Sequence, residues 1–288
     1  MSTPSPESDP FELAHHAART LAERTGRDRH DLFVVLGSGW AHVAELVQGG
    51  VDVAMGDLPG FPTPSAAGHG GVIRSVEVNG LGVLLALGRV HLYEGHHPNT
   101  VAHGVRTAWA AGCDTVILTN AAGILNRDWP LGRPIVITDH INFTGVSPLT
   151  GLDPEPPLQG RFADMTAAYT PALRALVRRV EPSLPEAVYA GFRGPQFETP
   201  AEVRMAGIVG ASLVGMSTVT EAIAASHLRM KILGLSLATN LAAGVSDEPL
   251  SGDHVLTVAR THAAWVADLL HRIIIEIASE SLRSNRNP

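Results

Sequence analysis

The 288-residue chain is 45% hydrophobic and 5% aromatic, and its 28 acidic and 21 basic residues give a formal net charge of −7. This charge argues against a nucleic-acid-binding surface, which needs a clustered excess of lysine and arginine. The single cysteine excludes an intramolecular disulfide and a multi-cysteine metal site. No apolar run approaches the ~18 residues of a membrane span. The N-terminus lacks a signal-peptide pattern, so we expect a cytoplasmic protein.

The division of the chain into domains follows from composition. Residues 1–9 are polar and rich in serine, proline and acidic residues, which predicts a disordered leader. No repeat or linker interrupts 10–282, so we expect one domain there and a short tail at 283–288. Length alone allows either one large α/β domain or two smaller ones.

Helix and strand patterns alternate through the first half of the chain. A helix starts near Phe11, where apolar residues recur at helical spacing. Leu32–Leu36 is an apolar run typical of a buried strand. Asn79-Gly80 predicts a hairpin between strands Val72–Val78 and Leu81–Leu87. We then expect, in order, a helix at about 99–111, a strand at 115–119, a turn at 120–123 and a strand at 134–138.

The second half continues the alternation. Thr199-Pro200-Ala201-Glu202 is a capping box with proline at the first helical position, so a helix begins there. A loop as long as 144–160 is usually functional or packs against a partner. The other predicted elements are a helix at 165–180, strands at 187–192, 212–214 and 231–238, and helices from about Val219 and at about 256–281. This order predicts an α/β fold with a substantially parallel sheet.

Two of the predicted strands end in polar turns, and open α/β sheets bind their ligands at such ends. Gly37-Ser38-Gly39 lets the backbone approach an anion while a hydroxyl donates to it, although a plain tight turn explains it equally. In extended chain Arg89, His91 and Tyr93 share one face. An arginine fork beside an imidazole suits a phosphate dianion. A polar face of an edge strand is the alternative.

Hydrolase and metalloenzyme patterns are missing from the sequence. The segments around Ser38 and Ser217 each lack one glycine of the G-x-S-x-G nucleophile elbow, and there is no HExxH motif. The pairs His15-His16 and His96-His97 have no third ligand at metal spacing. We therefore expect no metal site.

Several short motifs occur in one order along the chain: Leu36-Gly37-Ser38-Gly39, Gly88-Arg89-Val90-His91-Leu92-Tyr93-Glu94-Gly95, Thr119-Asn120-Ala121-Ala122-Gly123, Gly194-Pro195-Gln196-Phe197-Glu198-Thr199, Val214-Gly215-Met216-Ser217-Thr218 and Thr239-Asn240. With them the chain resembles, over about 13–270, the trimeric 6-oxopurine-type purine nucleoside phosphorylases. The resemblance implies a single-domain, three-layer α/β nucleoside-phosphorylase fold with a mixed central sheet flanked by helices. It also implies a homotrimer that acts on a purine nucleoside and inorganic phosphate without a cofactor.

The same resemblance assigns the site residues. Phosphate would meet Ser38, His69, Arg89, His91, the backbone N–H near Ala122, and Ser217. The purine would meet Ala121, Phe197, Glu198, Val214 and Asn240. The ribose would meet Tyr93, Tyr189, Met216 and, from an adjacent subunit, Phe162. Catalytic roles fall to Asn240, Glu198 and His91.

Two of these residues have simpler explanations as well. A carboxylate at Glu198 is also favoured by the dipole of the helix that starts after Thr199. His69 lies in a segment that resembles the family's mobile phosphate-side loop, and an ordinary surface turn explains that segment equally.

The implied mechanism is direct phosphorolysis. Phosphate attacks C1′ opposite the departing base, and Asn240 stabilises the negative charge that builds on the purine. Glu198 accepts the N1–H of a 6-oxopurine, and Asn240 donates to O6 or N7. Adenine presents the opposite pattern and leaves both side chains unpaired, which rejects it.

One position departs from the family. Its members usually carry a histidine near the start of the last helix, which donates to the ribose 5′-OH, and this chain has Gly252 there. His254 lies two residues on, and two helical steps turn about 200° away. We hypothesise that recognition of the 5′-OH is weakened or rebuilt. A 5′-methylthioadenosine or methylthioinosine phosphorylase is therefore the alternative enzyme, and a catalytically silent nucleoside sensor is the alternative outside enzymes.

Overall fold

The computed structural model describes residues 9–62, 70–152 and 160–286, with side chains to 283. The helices of these segments are α1 (Pro10–Thr25), α2 (Val43–Leu46), α3 (Pro98–Val101), α4 (His103–Ala110), α5 (Pro171–Val180), α6 (Pro200–Ile208), α7 (Val219–His227) and α8 (Gly252–Arg286). The strands are β1 (Leu32–Leu36), β2 (Val51–Ala54), β3 (Val72–Val78), β4 (Leu81–Leu87), β5 (Thr115–Ile124), β6 (Pro134–Asn142), β7 (Glu186–Gly191), β8 (Leu213–Gly215) and β9 (Lys231–Leu241).

The strands form one mixed sheet in the order β2-β3-β4-β1-β5-β8-β7-β6-β9. The central strands β4, β1, β5 and β9 are parallel neighbours, and β2, β3 and β4 are joined antiparallel. Strand β9 pairs with both β6 and β5, so the last five strands of the order close on themselves. The predicted mixed central sheet is confirmed.

Helices cover both faces of the sheet, which gives the three predicted layers. Strand β1 shows why, since its residues are buried on both sides: Phe33 and Val35 face one apolar cluster, and Val34 faces another. The first cluster includes residues of α1, α4 and α7, and the second includes residues of α2, α5 and α8. A strand buried on both faces is apolar throughout, as β1 is.

Local signals in the sequence place several elements correctly. The hairpin of β3 and β4 turns at Asn79-Gly80, where both residues have positive φ, as the two-residue loop requires. Helix α6 begins with the predicted capping box. Thr199 Oγ1 accepts from the Glu202 N–H, and Glu202 Oε2 accepts from the Thr199 N–H at 2.7 Å.

Four predicted elements differ from the structure by more than the position of a strand end. The turn predicted at 120–123 is wrong, because β5 continues through it and pairs with β9 and β8. The helix predicted at 99–111 is interrupted at Ala102 and forms α3 and α4. The helix predicted from 165 begins only at Pro171, since a residue before proline is disfavoured in helical conformation.

The fourth difference concerns α8, which begins at Gly252 rather than near 256. The Ser251 hydroxyl accepts from the His254 backbone N–H and so caps the earlier start. The helix continues to Arg286, so part of the predicted tail is helical. Within the described segments, no helix combines the length and the apolar character that a bilayer span requires.

Candidate active site

A cavity of about 140 Å³ opens where β1, β4, β5 and β9 end. It is built from segments far apart in the chain, which the parallel strands bring to one edge of the sheet. Its lining residues are Gly37, Ser38, Arg89, His91, Tyr93, Asn120, Ala121, Ala122, Gly123, Phe197, Glu198, Val214, Gly215, Met216, Ser217, Thr239, Asn240 and Val255. Every described residue that we predicted to bind phosphate or purine is among these lining residues.

Arg89 is the cation of the cavity, and its guanidinium is held in one orientation. The side chain is buried and follows directly on β4. One terminal nitrogen donates to Ser217 Oγ at 3.0 Å, and the other donates to the Thr119 carbonyl oxygen at 2.6 Å. The Nε atom lies 3.3 Å from Oε1 of Glu221. A buried, oriented guanidinium beside a hydroxyl is suited to an oxyanion.

His91 lies beside Arg89, and a neighbouring carboxylate fixes its ring. Its Nδ1 is 2.9 Å from Glu94 Oε1, and its ring stacks on Tyr93 with centroids 4.6 Å apart. The stacking arises because the chain forms a 3-10 turn over Leu92–Glu94, so the predicted extended run from Arg89 to Tyr93 is wrong. Burial, and then the charge of Arg89, lowers the pKa of His91 to about 4.

The neutral state of His91 limits what it can donate. Glu94 favours the tautomer with the proton on Nδ1, which leaves Nε2 as an acceptor. An acceptor nitrogen complements the hydroxyl of a hydrogen phosphate ion. His91 therefore donates to a bare phosphate oxygen through Nε2 only in its protonated form.

The hydroxyl of Ser217 is presented by a strained turn. Thr218 has φ 72° and ψ −46°, which is an uncommon conformation for a β-branched residue. Its Oγ1 accepts from Asn120 Nδ2 at 2.8 Å, and its backbone N–H donates to Glu221 Oε2 at 3.1 Å. Such strain persists where the surroundings fix the residue from several sides, and it is common at functional sites.

Tyr189 is placed differently from our prediction. Its side chain is fully buried behind the cavity, and its hydroxyl oxygen accepts from the Ser217 backbone N–H. A Cβ on Gly215 would lie 2.5 Å from that hydroxyl, so the ring fills the space beneath the strand end. Direct contact of Tyr189 with the sugar is therefore wrong, and the residue supports Ser217 from behind.

A β-bulge turns Asn240 into the cavity. Ala122 pairs with Ala238, but Gly123 pairs with Asn240, so β9 carries one extra residue, Thr239. Thr239 Oγ1 donates to Asn240 Oδ1 at 3.1 Å, and Asn240 Nδ2 donates to the Leu241 carbonyl. A Cβ on Gly123 would lie 3.2 Å from that nitrogen, so the glycine makes room for the amide.

The carboxylate of Glu198 is buried at the other end of the cavity wall. Its Oε1 has no hydrogen-bond partner among the described residues, and burial raises its pKa. A buried acceptor without a partner is costly, so this oxygen is suited to a hydrogen-bond donor of a bound ligand. Phe197 beside it is 38% exposed and offers an aromatic face.

Comparison with known proteins shows which family the chain belongs to. A family model described as the phosphorylase superfamily matches residues 31–275. A purine nucleoside phosphorylase from Cellulomonas sp is 49% identical over 278 residues, covering 93% of this chain and 96% of that protein. The chain belongs to the purine nucleoside phosphorylase family. As a member of this family it is an enzyme, a pentosyltransferase.

Solved structures of the family share the fold. A Schistosoma purine nucleoside phosphorylase in complex with hypoxanthine has a TM-score of 0.84 and 29% identity, over 92% of this chain and 96% of its own. The Schistosoma mansoni purine nucleoside phosphorylase in complex with adenosine gives the same values.

Two of the residues discussed for this family, Phe162 and His254, lie away from the cavity. Phe162 is 89% exposed and does not line the cavity of its own chain. His69 lies outside the described residues. His254 is exposed at the start of α8, whereas Val255 lines the cavity. The expectation that His254 faces away is confirmed.

Apart from its glycines, the cavity lining includes three residues for which we predicted no role, namely Asn120, Thr239 and Val255. The first two stand in the quoted motifs, but the pattern marks their neighbours as the binding groups. Val255 follows Gly252 by three residues, and this helical spacing was the available signal. Among the described residues, no group of three or more His, Cys, Asp or Glu could hold a metal ion.

Proposed function

We propose that this phosphorylase cleaves 6-oxopurine ribonucleosides and deoxyribonucleosides, such as inosine and guanosine. Orthophosphate is the second substrate, and the products are the free base and (deoxy)ribose 1-phosphate. The observation that carries the proposal is Oε1 of Glu198, which is buried without a hydrogen-bond partner in the described part of the chain and lies in the same cavity as Asn240 and Arg89. We further propose a cytoplasmic role in purine salvage.

The base selectivity follows from the two polar groups of the purine end. Glu198 accepts the N1–H of a 6-oxopurine, and the amide of Asn240 donates to O6 or N7. An adenine N1 has no proton to give to Glu198, so that carboxylate would stay buried and unpaired. Sites built around such pairs reject the wrong analogue strongly.

The phosphate end supplies the nucleophile. Ser38, Arg89, Ser217 and the backbone of Ala122 surround an oxyanion beside the sugar, and Nε2 of neutral His91 accepts a hydrogen bond from its hydroxyl. Phosphate attacks C1′ as the glycosidic bond breaks, and its charge stabilises the cationic sugar. Asn240 stabilises the developing charge on the purine, and preorganised donors of this kind lower barriers most.

A homotrimer would complete the site. Phe162 exposes 89% of its surface and lies off its own cavity, so its ring is available to a neighbouring subunit. In the proposed trimer this ring covers the ribose of the adjacent subunit.

Phosphate-dependent release of hypoxanthine from inosine, followed by ultraviolet absorbance, tests the function. We expect turnover with inosine and phosphate, none without phosphate, and far slower turnover with adenosine. Adenosine belongs in the assay because a Schistosoma mansoni relative was solved with it. Equal cleavage without phosphate, or no cleavage with it, would contradict the proposal.

A second candidate is supported by the start of α8. Gly252 has open space around its Cβ position, and apolar Val255 lines the cavity there. No side chain at these two positions can bond a 5′-OH, which suits an alkylthio group at C5′. Glu198 and Asn240 oppose methylthioadenosine as the substrate, so methylthioinosine is the form of this alternative that fits the base end.

We expect 5′-deoxyinosine to keep kcat/KM within about tenfold of inosine, since no strong hydrogen bond is lost with its hydroxyl. Steady-state kinetics with inosine, 5′-deoxyinosine and methylthioinosine measure this. His254→Ala is the control, and it should leave the ratio of the first two substrates unchanged. A loss well beyond tenfold for 5′-deoxyinosine would show that another group recognises the hydroxyl.

A further inference from the structure

Glu221 is a buried acid next to the phosphate end of the cavity, and the mechanism above gives it no role. It lies in the first turn of α7 and is 3% exposed. It does not line the candidate active-site cavity but faces a smaller apolar cavity, together with Phe33, Met55 and Val101. A carboxylate in such surroundings is retained only where strong partners hold it.

The two oxygens of Glu221 serve two different partners. Oε1 lies 3.3 Å from Nε of Arg89, and Oε2 accepts from the Thr218 backbone N–H at 3.1 Å. Arg89 in turn donates to Ser217 Oγ. The carboxylate therefore touches both the cation and the strained turn that presents the hydroxyl.

We propose that Glu221 is a positioning residue that joins Arg89 and the Ser217–Thr218 turn into one orthophosphate-binding unit. This inference rests on the proposed function, because it assigns orthophosphate to that end of the cavity. Glu221 holds the Nε edge of the guanidinium and the Thr218 N–H at once. Arg89 and Ser217 thereby keep a fixed spacing before the anion arrives.

The chemistry of the site requires a carboxylate rather than an amide. One oxygen of Glu221 accepts a hydrogen bond from the Thr218 N–H, and the other forms an ion pair with the Arg89 guanidinium, so both oxygens face positive groups. Glutamine offers one oxygen and one NH₂ group, and the NH₂ group would face either Arg89 Nε–H or the Thr218 N–H. One of the two contacts is lost in either orientation.

A simple charge effect predicts the opposite result. Removing a negative charge next to Arg89 would strengthen the attraction of the site for an anion. Glu221→Gln therefore distinguishes the two effects. Loss of positioning would weaken phosphate binding, whereas loss of the negative charge would tighten it. Glu221→Asp keeps the charge but is one methylene shorter, so it cannot hold both partners at the same distances.

The test measures the Kd for inorganic phosphate by calorimetry, and the KM for phosphate and for inosine. We expect Glu221→Gln to raise the Kd and KM for phosphate about 10- to 100-fold, the value of one lost bond to a charged group. The KM for inosine should stay within about twofold, because the base contacts are untouched. Glu221→Asp should also raise the Kd and the KM for phosphate.

Glu202→Gln is the matched control. It removes the same charge from the same position of a capping box, on α6, without touching Arg89. Its phosphate Kd should equal that of the unchanged protein. A capping effect alone would not distinguish the phosphate affinities of the two variants.

The remaining outcomes decide the proposal. Unchanged or tighter phosphate binding in Glu221→Gln overturns it, as does an equal rise in both KM values. If Glu221→Gln does not fold, Glu221→Asp decides on the same terms. Calorimetry with phosphate alone needs no turnover, so failure of the proposed function would leave phosphate binding measurable and the two failures distinct.

Discussion

Replacing Asn240 with alanine is expected to lower kcat for inosine about 10²–10³-fold, because a preorganised donor at a developing charge is removed. The amide is aimed by the bulge at Thr239 and by the hydrogen bond from its hydroxyl. The amide acts mainly in the transition state, when charge builds on the departing base, so kcat and kcat/KM should fall together. Steady-state and single-turnover kinetics with inosine and guanosine measure the loss.

Two controls make this result specific. Asn126→Ala removes an asparagine that does not line the cavity, and kcat should not change. The Kd for phosphate should stay the same in Asn240→Ala, because the phosphate end is built from other residues. Turnover near that of the unchanged protein would remove Asn240 from the leaving-group role.

The second large effect is expected for Glu198→Gln. The buried carboxylate loses its charge, and a hydrogen bond to a charged acceptor is replaced by a neutral one, which should lower kcat/KM for inosine about 10²-fold. The glutamine NH₂ group can donate to the N1 atom of adenine. The preference for inosine over adenosine should therefore shrink by more than the loss on inosine alone.

Kinetics with both nucleosides measure this change of specificity. Glu23→Gln is the control here, because it carries the same substitution at an exposed position of α1 and should preserve the ratio of the two substrates. If Glu198→Gln lowered turnover of inosine and adenosine equally, Glu198 would have a structural role and would not determine which base is bound.

Local signals explain why much of the fold was predictable. The Asn79-Gly80 turn and the Thr199 capping box depend on residues a few positions apart, and the structure contains both. Elements that depend on distant partners were missed. Strand β2 is short and largely exposed, and it exists because β3 pairs with it. Residues 120–123 have turn-like composition, but β8 and β9 pair with them and override it.

The site residues divide in the same way, into those marked by local motifs and those placed by contacts between distant segments. The motifs located the residues that face the cavity, because each motif is short and contiguous. They could not locate Glu221, whose contact with Arg89 joins two segments far apart in the chain. Nor could they place Tyr189, since its direction depends on the space left beneath Gly215.

The single extra residue in β9 makes the enzyme unusually sensitive to chain length at one point. If Thr239 were lost, Asn240 would remain the partner of Gly123 and keep its face of the sheet, but its Oδ1 would lose the hydrogen bond from the Thr239 hydroxyl. The sheet itself would tolerate that deletion and could even gain a more regular ladder. A one-codon deletion there would therefore leave the strand paired but the amide of Asn240 less firmly oriented, which would weaken leaving-group catalysis without unfolding the protein.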